Sequence, residues 1–181
     1  MNSKATGQTL PLTTDIYFAV GECYLGAILV ARNIKGICAI SLGNESDKLT
    51  QDLQDRFPNA NLIRDDDQRE QLVAKVVGVL ENPDRDLQLP LDIQGTDFQK
   101  RVWAALQDIP AGTTVSYTDI AEKIGAPKSV RAVAGACGAN RLAIAIPCHR
   151  VVRRDGSLSG YRWGVNIKRQ LLDKEPQISS C

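Results

Sequence analysis

A stretch that carries Pro83 and Pro90 but no helical or strand periodicity, residues 82–95, divides this 181-residue sequence into two parts. Before it, short β-branched runs alternate with glycines, a pattern that predicts strands joined by tight turns. After it, apolar residues recur at helical spacing behind side chains that can cap a helix. We therefore predict a mixed α/β (α+β) fold, with an N-terminal domain over 1–90 and a C-terminal domain over 91–181.

The first part predicts a small antiparallel sheet with helices. Three strand-like runs, 16–20, 24–31 and 37–42, lie close enough in sequence to form a meander. Apolar side chains then recur at helical spacing in two segments, at Leu49, Leu53 and Phe57 and at Leu72, Val76 and Leu80.

The second part predicts a mainly helical domain of helix-turn-helix type with a winged-helix-like outline. Thr96 and Gln99, and again Ser116 and Asp119, have the spacing of a capping box, so each pair should begin a helix. A further helix is predicted over 128–137, after a glycine-containing turn. Two short helices joined in this way can bind DNA, and they are also common packing units.

The helix predicted over 128–137 has small side chains over much of its surface. Alanine or glycine occupies positions 132, 134–136 and 138, and Arg131 is the only side chain from 129 to 138 that is both long and charged. Two interpretations stay open. The small face packs tightly inside the core, or it approaches a groove as narrow as the DNA minor groove, about 6 Å wide.

The net charge of +1 conceals a division between the two parts. Residues 1–95 hold 9 basic and 14 acidic side chains, whereas residues 96–181 hold 13 basic and 7 acidic ones. A basic half can attract a polyanion while the near-neutral total keeps the chain soluble. The alternative is an ordinary solvated surface, and charge alone does not decide between the two.

The single histidine stands beside a cysteine in Pro147-Cys148-His149-Arg150-Val151, after an apolar run at 142–146 that predicts a buried strand. A free cysteine is commonly buried and inert, which is the alternative interpretation. The adjacent histidine and arginine favour a reactive thiol, because thiolate formation needs an electropositive setting. On a strand the Cys148 and His149 side chains would point to opposite faces, so their cooperation requires a turn after Pro147 or a bridging water.

The histidine and cysteine counts also limit the classes of site. One histidine excludes paired-histidine metal centres, and the five cysteines show no C-x-x-C spacing, so we predict no metal site and reduced thiols in a cytoplasm. We find no signal peptide and no apolar run long enough to span a bilayer. Cys23, Cys38, Cys137 and Trp103 are expected in the core, and Cys181 on an exposed tail.

The motif around Cys148 and three others resemble those of the O6-alkylguanine-DNA alkyltransferases. The others are Ser116-Tyr117, Lys128-Ser129-Val130-Arg131-Ala132-Val133 and Leu171-Leu172-Asp173-Lys174-Glu175. They keep the family's order and separation across roughly residues 95–175. The stretch 158–164 is most similar to the C-terminal portion of Ada-type adaptive-response proteins, whereas the first half matches only loosely.

The resemblance implies single-turnover repair of O6-alkylguanine in double-stranded DNA, with O4-alkylthymine as a possible second substrate. Cys148 would accept the alkyl group, His149 would deprotonate it through a water, and Glu175 would orient His149. Tyr117 would give a proton to the departing guanine. The resemblance further implies no cofactor, no membrane partner and a monomer in the bacterial cytosol.

The resemblance also assigns DNA-binding and pocket residues. Arg131 would fill the gap in the base stack after the damaged nucleotide flips out. Ser129, Val130, Ala132 and Ala134 would contact DNA beside it. The base pocket would involve Val151, Tyr161, Arg162 and Trp163, with Asn140 as a hinge between the recognition helix and the active-site segment.

The sequence departs from the family pattern at three positions. Trp163 stands where several relatives carry a small residue, which predicts slow reaction with bulky substituents such as benzyl. Arg162 replaces a small polar residue, so a contact to O6 would have to come from its backbone N–H. Gly138 lacks the second arginine that some relatives place at the end of the recognition helix, which predicts weaker DNA binding.

Two other functions follow from the residues without the resemblance. One is a Cys-His hydrolase that forms an acyl-enzyme, although the sequence offers no strong oxyanion motif. The other is a helix-turn-helix protein that binds DNA without chemistry.

Overall fold

Three antiparallel strands form the meander that the sequence predicts. The computed structural model describes residues 13–176, apart from the side chains of 68–70. Its first strands are β1 at Asp15–Cys23, β2 at Gly26–Asn33 and β3 at Gly36–Gly43. Two-residue turns join them, and both neighbouring pairs are antiparallel.

A fourth strand, β4 at Asn61–Arg64, lies at the edge of the sheet and is absent from our prediction. It pairs parallel with β1, so the strand order is β3-β2-β1-β4. Only Leu62 and Ile63 among its four residues are half-buried. A strand this short carries too little alternation to be found from the sequence.

The two predicted helices of the first part cover opposite faces of the sheet. The first, α1 at Ser46–Arg56, buries Leu49 and Leu53 against one face. The second, α2 at Arg69–Glu81, packs on the other face, where its buried side chains are Leu72, Val73, Val76 and Leu80. This arrangement buries the sheet on both sides.

As far as residue 176, the second part contains four α-helices and a short parallel pair of strands. In chain order they are α3 at Asp97–Gln107, β5 at Val115–Ser116, α4 at Tyr117–Lys123, α5 at Val130–Gly138, β6 at Val151–Val152 and α6 at Val165–Lys174. The mainly helical character is confirmed. The winged-helix-like outline stays a prediction.

Both predicted capping boxes are present. The Gln99 backbone N–H donates to Thr96 Oγ1 at 3.2 Å, and the Thr96 N–H donates to Gln99 Oε1 at 3.0 Å. Ser116 and Asp119 make the same reciprocal pair at 3.1 and 2.8 Å. Each box satisfies two backbone donors that a helix N-terminus would otherwise leave unpaired.

The segment 142–146 is not the strand that we predicted. Ile144 has a φ of +73°, and the Ile146 N–H donates to the Leu142 carbonyl at 3.0 Å, so the chain turns on itself. One isolated bridge joins Leu142 to Ile40 of β3. The apolar composition therefore reflects burial in a compact turn and not an extended backbone.

The edge strand β3 connects the two parts of the chain. Ile40 exchanges backbone hydrogen bonds with the segment after α5, at 2.9 Å to the Arg141 carbonyl and 3.1 Å from the Ala143 N–H. Gly36 has a φ of +145°, and a Cβ there would lie 2.3 Å from the Pro90 carbonyl oxygen. One apolar core extends across both parts, and the domain boundary at 90/91 stays a prediction.

The expected core residues are mostly buried. Cys38, Cys137 and Trp103 are buried as predicted, but Cys23 is only half-buried because it ends β1 beside the turn. Cys181 lies outside the described residues. In residues 13–176, no helix has the length and apolar character needed to cross a membrane.

Candidate active site

Cys148 begins a short 3-10 turn, Cys148–Arg150, directly after Pro147. Cys148 and His149 are 4% and 3% exposed, so both side chains lie inside the protein. Cooperation of Cys148 with His149 was expected to require either a turn after Pro147 or a bridging water. The structure has the turn. Because the backbone is not extended here, the two side chains are not forced to opposite faces of a sheet.

Asn140 holds the Cys148 sulfur from within the core. Its fully buried side-chain amide donates to Cys148 Sγ at 3.2 Å and to the Ile146 carbonyl at 2.9 Å. Its Oδ1 accepts the Leu142 N–H at 2.9 Å. One side chain thus ties the end of α5, the turn at 142–146 and the thiol together.

A buried ion-pair network stands behind His149. Glu175 Oε1 accepts a hydrogen bond from Arg150 Nε and pairs with His149 Nε2, each at 2.9 Å. Its Oε2 accepts the Gly112 N–H, and Arg150 also donates to the Ile109 carbonyl at 2.7 Å. His149 Nδ1 is buried and has no hydrogen-bond partner among the described residues.

The buried setting changes the protonation of each of these groups. Burial raises the pKa of the Cys148 thiol to about 11, against the opposing effects of Asn140 and Lys168. Burial also lowers the pKa of His149, so the imidazole is neutral at pH 7 and able to accept a proton. Burial would raise the pKa of Glu175, but hydrogen bonds from His149 and Gly112 hold it below its ordinary value.

Lys168 of α6 is fully buried and has no carboxylate partner among residues 13–176. Its ammonium donates to the Val151 carbonyl at 2.6 Å and to Ser159 Oγ at 3.1 Å. Ser159 Oγ in turn shares a short hydrogen bond with the Tyr117 hydroxyl. The buried positive charge favours the thiolate form of Cys148, because it lowers the pKa of that thiol.

An open cavity of about 470 Å³ reaches the other side of Cys148. This volume lies in the range of small-molecule sites, ~300–1,000 Å³. Its wall consists of residues from α4, α5 and the loop before α6: Tyr117, Ala134, Cys137, Gly138, Arg153, Ser159, Gly160, Tyr161 and Arg162. The geometry can therefore admit a planar ligand and present the thiol to it.

The small face of α5 points outward. Ala132, Ala134, Gly135 and Gly138 are exposed together with Arg131, and open space lies where a side chain on either glycine would stand. The buried residues of α5 are Val133, Ala136 and Cys137. Tight packing inside the protein therefore does not explain the small side chains. The remaining interpretation is that an external surface approaches this face of α5 closely.

The structure does not bring every predicted pocket residue to the cavity. Tyr161 and Arg162 line it, whereas Val151, Trp163 and Asn140 do not. Val151 is buried in β6, and Trp163 stands behind Tyr161, with the two rings in an edge-to-face contact at 5.2 Å. Ser129 and Val130, at the start of α5, are half-buried.

Two residues that our sequence reasoning gave no role, Lys168 and Ser159, belong to the site. Lys168 stands between Ile167 and Leu171 on the buried face of α6, and a lysine among such apolar positions is the signal that could have identified it. Ser159 carries no comparable signal, because its role depends on the loop that brings it to Tyr117.

Two family models match the chain, and together they cover most of it. One, 6-O-methylguanine DNA methyltransferase, ribonuclease-like domain, matches residues 16–93. The other, 6-O-methylguanine DNA methyltransferase, DNA binding domain, matches residues 97–177.

Individual relatives agree with these matches. The bifunctional transcriptional activator/DNA repair enzyme Ada of Escherichia coli is 54% identical over 162 residues, which are 90% of this chain but 46% of Ada. The chain thus spans about half the length of this Ada relative. The inducible methylated-DNA--protein-cysteine methyltransferase of Bacillus subtilis is 41% identical over 152 residues, 83% of this chain and 85% of that protein.

Solved structures share the fold. The crystal structure of Mycobacterium tuberculosis OGT in complex with DNA has a TM-score of 0.73 at 32% identity and covers 87% of this chain and 91% of its own. The O6-methylguanine-DNA methyltransferase from the archaeon Pyrococcus kodakaraensis has a TM-score of 0.71 at 26% identity, with 87% and 98% covered.

Proposed function

The chain belongs to the 6-O-methylguanine DNA methyltransferase family, and from this membership we propose that it repairs O6-alkylguanine in double-stranded DNA by transferring the alkyl group to its own Cys148. The observation that carries the proposal is the position of the thiol. Cys148 directly precedes His149, which pairs with Glu175 in the interior, and it lines a cavity that opens beside the exposed small face of α5. A base that enters this cavity from DNA would meet the sulfur.

The buried network prepares the nucleophile. His149 Nε2 is held by Glu175, so Nδ1 is left to accept the proton of Cys148 through a bridging water. Glu175 compensates the imidazolium that results, and Lys168 stabilises the thiolate. The raised pKa of the resting thiol supports this order of events, because the sulfur then needs a base at neutral pH.

The transfer step is an in-line displacement at the alkyl carbon. The thiolate electron pair forms the S–C bond, and the C–O6 bond breaks with its electrons passing to guanine. Tyr117 donates a proton to the leaving ring, and its raised pKa keeps the hydroxyl protonated for this purpose. His149 gains the proton that leaves Cys148 and Tyr117 loses the one that guanine gains, so proton exchange with water restores both side chains and no proton is consumed overall.

The thioether product limits each molecule to one turnover. Release of the alkyl group by water would have to expel the Cys148 thiolate from a saturated carbon, and a thiolate is a poor leaving group there, so the thioether persists. The reaction needs no cofactor, since the DNA itself is the alkyl donor. O4-alkylthymine as a further donor stays a prediction.

DNA binding is proposed for the exposed face of α5. Ala132, Ala134 and the glycines allow close approach to the minor groove, and exposed Arg131 can enter the duplex in place of the flipped nucleotide. Ser129 and Val130 would contact the backbone at the start of the helix. Flipping costs a few kcal/mol, least for a damaged or mispaired base, which helps selection of the lesion.

A reducing compartment suits this chemistry. The four cysteines among the described residues are free, and oxidation of Cys148 would remove the nucleophile. We therefore propose that the protein acts in the bacterial cytosol, where the DNA also lies, and its monomeric state stays a prediction from the family resemblance.

Intact-mass spectrometry after incubation with an O6-methylguanine duplex tests the proposal against both alternatives. We expect one added methyl group, located on Cys148 by peptide mapping, and one repaired base per protein. Repeated turnover with an unmodified chain would indicate the Cys-His hydrolase. An unmodified chain that still binds the duplex would indicate a non-catalytic DNA-binding protein.

A matched pair of cysteine variants completes the test. Cys148→Ala should take up no methyl and still bind DNA, whereas Cys23→Ala, changed at a half-buried cysteine at the end of β1, should react like the unaltered protein. Methyl uptake by Cys148→Ala on another cysteine would contradict the assignment of the acceptor.

A further inference from the structure

Three arginines from three separate segments lie near one another beside α1, and one of them, Arg162, lines the Cys148 cavity. Arg56 ends α1, Arg141 follows α5, and Arg162 lies in the loop before α6, and we call these three the arginine cluster. They are close enough to affect one another. Burial lowers the pKa of Arg56 to about 10, with further lowering by the charges of Arg162 and Arg141.

The arginine cluster has more positive than negative charge. Asp52 is the carboxylate whose charge acts on both Arg56 and Arg162, but no ion pair within 4 Å joins them in the described part of the chain. Arg56 Nη1 is buried without a hydrogen-bond partner among residues 13–176, and Arg141 stacks over the Phe57 ring at 5.4 Å. Three guanidinium groups with one nearby carboxylate and no ion pair among the described residues leave a local positive charge, so the cluster is suited to an anion.

Arg162 joins the arginine cluster to the exposed end of α5. Its Nη1 donates to the Gly138 carbonyl at 3.0 Å, and its side chain lines the Cys148 cavity. Gly138 has no side chain, and open space lies where one would stand. The guanidinium of Arg162 therefore places a positive charge at the C-terminal end of α5, where the helix has no basic side chain of its own.

We propose that the arginine cluster binds backbone phosphates of the DNA strand whose base enters the cavity, so that Arg56 brings the N-terminal half into DNA binding. The inference rests on the proposed function. The planar guanidinium matches the phosphate oxygens and pairs with them in a bidentate manner. DNA is favoured over free phosphate because Arg162 lines the cavity that the base would enter, and the strand must pass its mouth.

The salt dependence of duplex binding tests the proposal. We expect Arg56→Gln to weaken binding about 3- to 10-fold at low salt, with a salt slope smaller by about 0.9 for each phosphate that Arg56 neutralises. Arg64→Gln is the matched control, since it removes the same charge from β4, at the edge of the sheet opposite β3. Arg56→Lys keeps the positive charge and should therefore recover most of the salt slope of the unaltered protein. It also provides a second variant to measure if Arg56→Gln fails to fold.

Two outcomes would overturn the arginine cluster as a DNA site. The first is an equal salt slope for Arg56→Gln, Arg64→Gln and the unaltered protein. The second is a loss of stabilisation by inorganic phosphate in Arg56→Gln with an unchanged DNA slope, which would assign the cluster to free phosphate. Methyl uptake by Cys148 is measured on the same unaltered protein, so failure of the proposed chemistry is distinguished from failure of the DNA interaction.

Discussion

The two sides of the Cys148 thiol are built in different ways. On one side, Asn140, His149 and Glu175 are buried and held by hydrogen bonds of 2.9–3.2 Å. On the other side lies an open cavity, lined by the exposed end of α5 and a loop that contains Tyr161. We call the first the relay side and the second the cavity side.

In the proposed single-turnover reaction, this difference separates two tasks. The relay side must form a thiolate on a buried sulfur, which needs fixed partners and little water. The cavity side must accept a base that arrives from a duplex, which needs free space and small side chains. Substitutions on the relay side should therefore affect every substrate alike, whereas those on the cavity side should discriminate between substrates.

The largest effect is expected on the relay side. His149→Gln and Glu175→Gln should each slow alkyl transfer about 10²- to 10⁴-fold, because general-base catalysis typically contributes this much. Single-turnover rates with a methylated duplex and with free O6-methylguanine base measure the loss, which should be similar for both substrates. A loss seen with the duplex alone would move His149 out of the relay and into DNA binding.

Arg131 offers the contrasting test on the DNA-facing surface. Arg131→Ala should slow repair of duplex DNA about 10- to 100-fold, since flipping costs a few kcal/mol and the side chain is proposed to offset part of that cost. Reaction with the free base needs no flipping and should change far less. Equal losses with both substrates would argue against a role of Arg131 in flipping.

The two sides also differ in how far the sequence predicts them. Thr96 with Gln99 and Ser116 with Asp119 are local signals, so the starts of α3 and α4 were found to the residue. The turn at 142–146 depends on β3, which lies far earlier in the chain, and its apolar composition wrongly indicated a strand. Local chemistry is readable from sequence, whereas backbone shape set by distant contacts is not.

The site follows the same rule. The adjacency of Cys148 and His149 and the family motifs predict the reactive centre, which stays a prediction, and the structure pairs Glu175 with His149 at 2.9 Å. Trp163 contacts Tyr161 edge to face and, instead of lining the Cys148 cavity, lines a separate groove together with Asp52 of α1 and Ile167 of α6. No spacing in the sequence carries that information.

Trp163 sharpens the comparison on the cavity side. The edge-to-face contact fixes the Tyr161 ring at the cavity wall, so bulky groups such as benzyl should react much more slowly than methyl. Trp163→Gly would free Tyr161 and should raise the benzylguanine rate about 10-fold, consistent with removal of an aromatic interaction worth about 0.5–1.5 kcal/mol. The methyl rate should change little, and an unchanged benzyl rate would show that Trp163 does not limit the cavity.

The smallest expected effect is a change in the pH dependence of folding stability, and it comes from His149 on the relay side. Burial lowers the pKa of His149, so the unfolded chain binds more protons than the folded one once the pH falls below about 6.5. The stability contributed by neutral His149 is therefore fully present above that pH and is lost on acidification, by at most about 1.4 kcal/mol per pH unit. The lowered pKa of Glu175 acts in the same direction at lower pH, below about 4.5.

Thermal unfolding between pH 7 and pH 5 measures this contribution. The midpoint of the unaltered protein should fall across the interval, and that of His149→Gln should fall less steeply, although it starts lower because Glu175 no longer has its partner. The single histidine of the sequence, His149, lies on the relay side. Trp163→Gly should therefore keep the steeper pH dependence of the unaltered protein. Parallel curves for His149→Gln and the unaltered protein would mean that the pKa of His149 is the same in the folded and unfolded chain, which would contradict the lowering by burial.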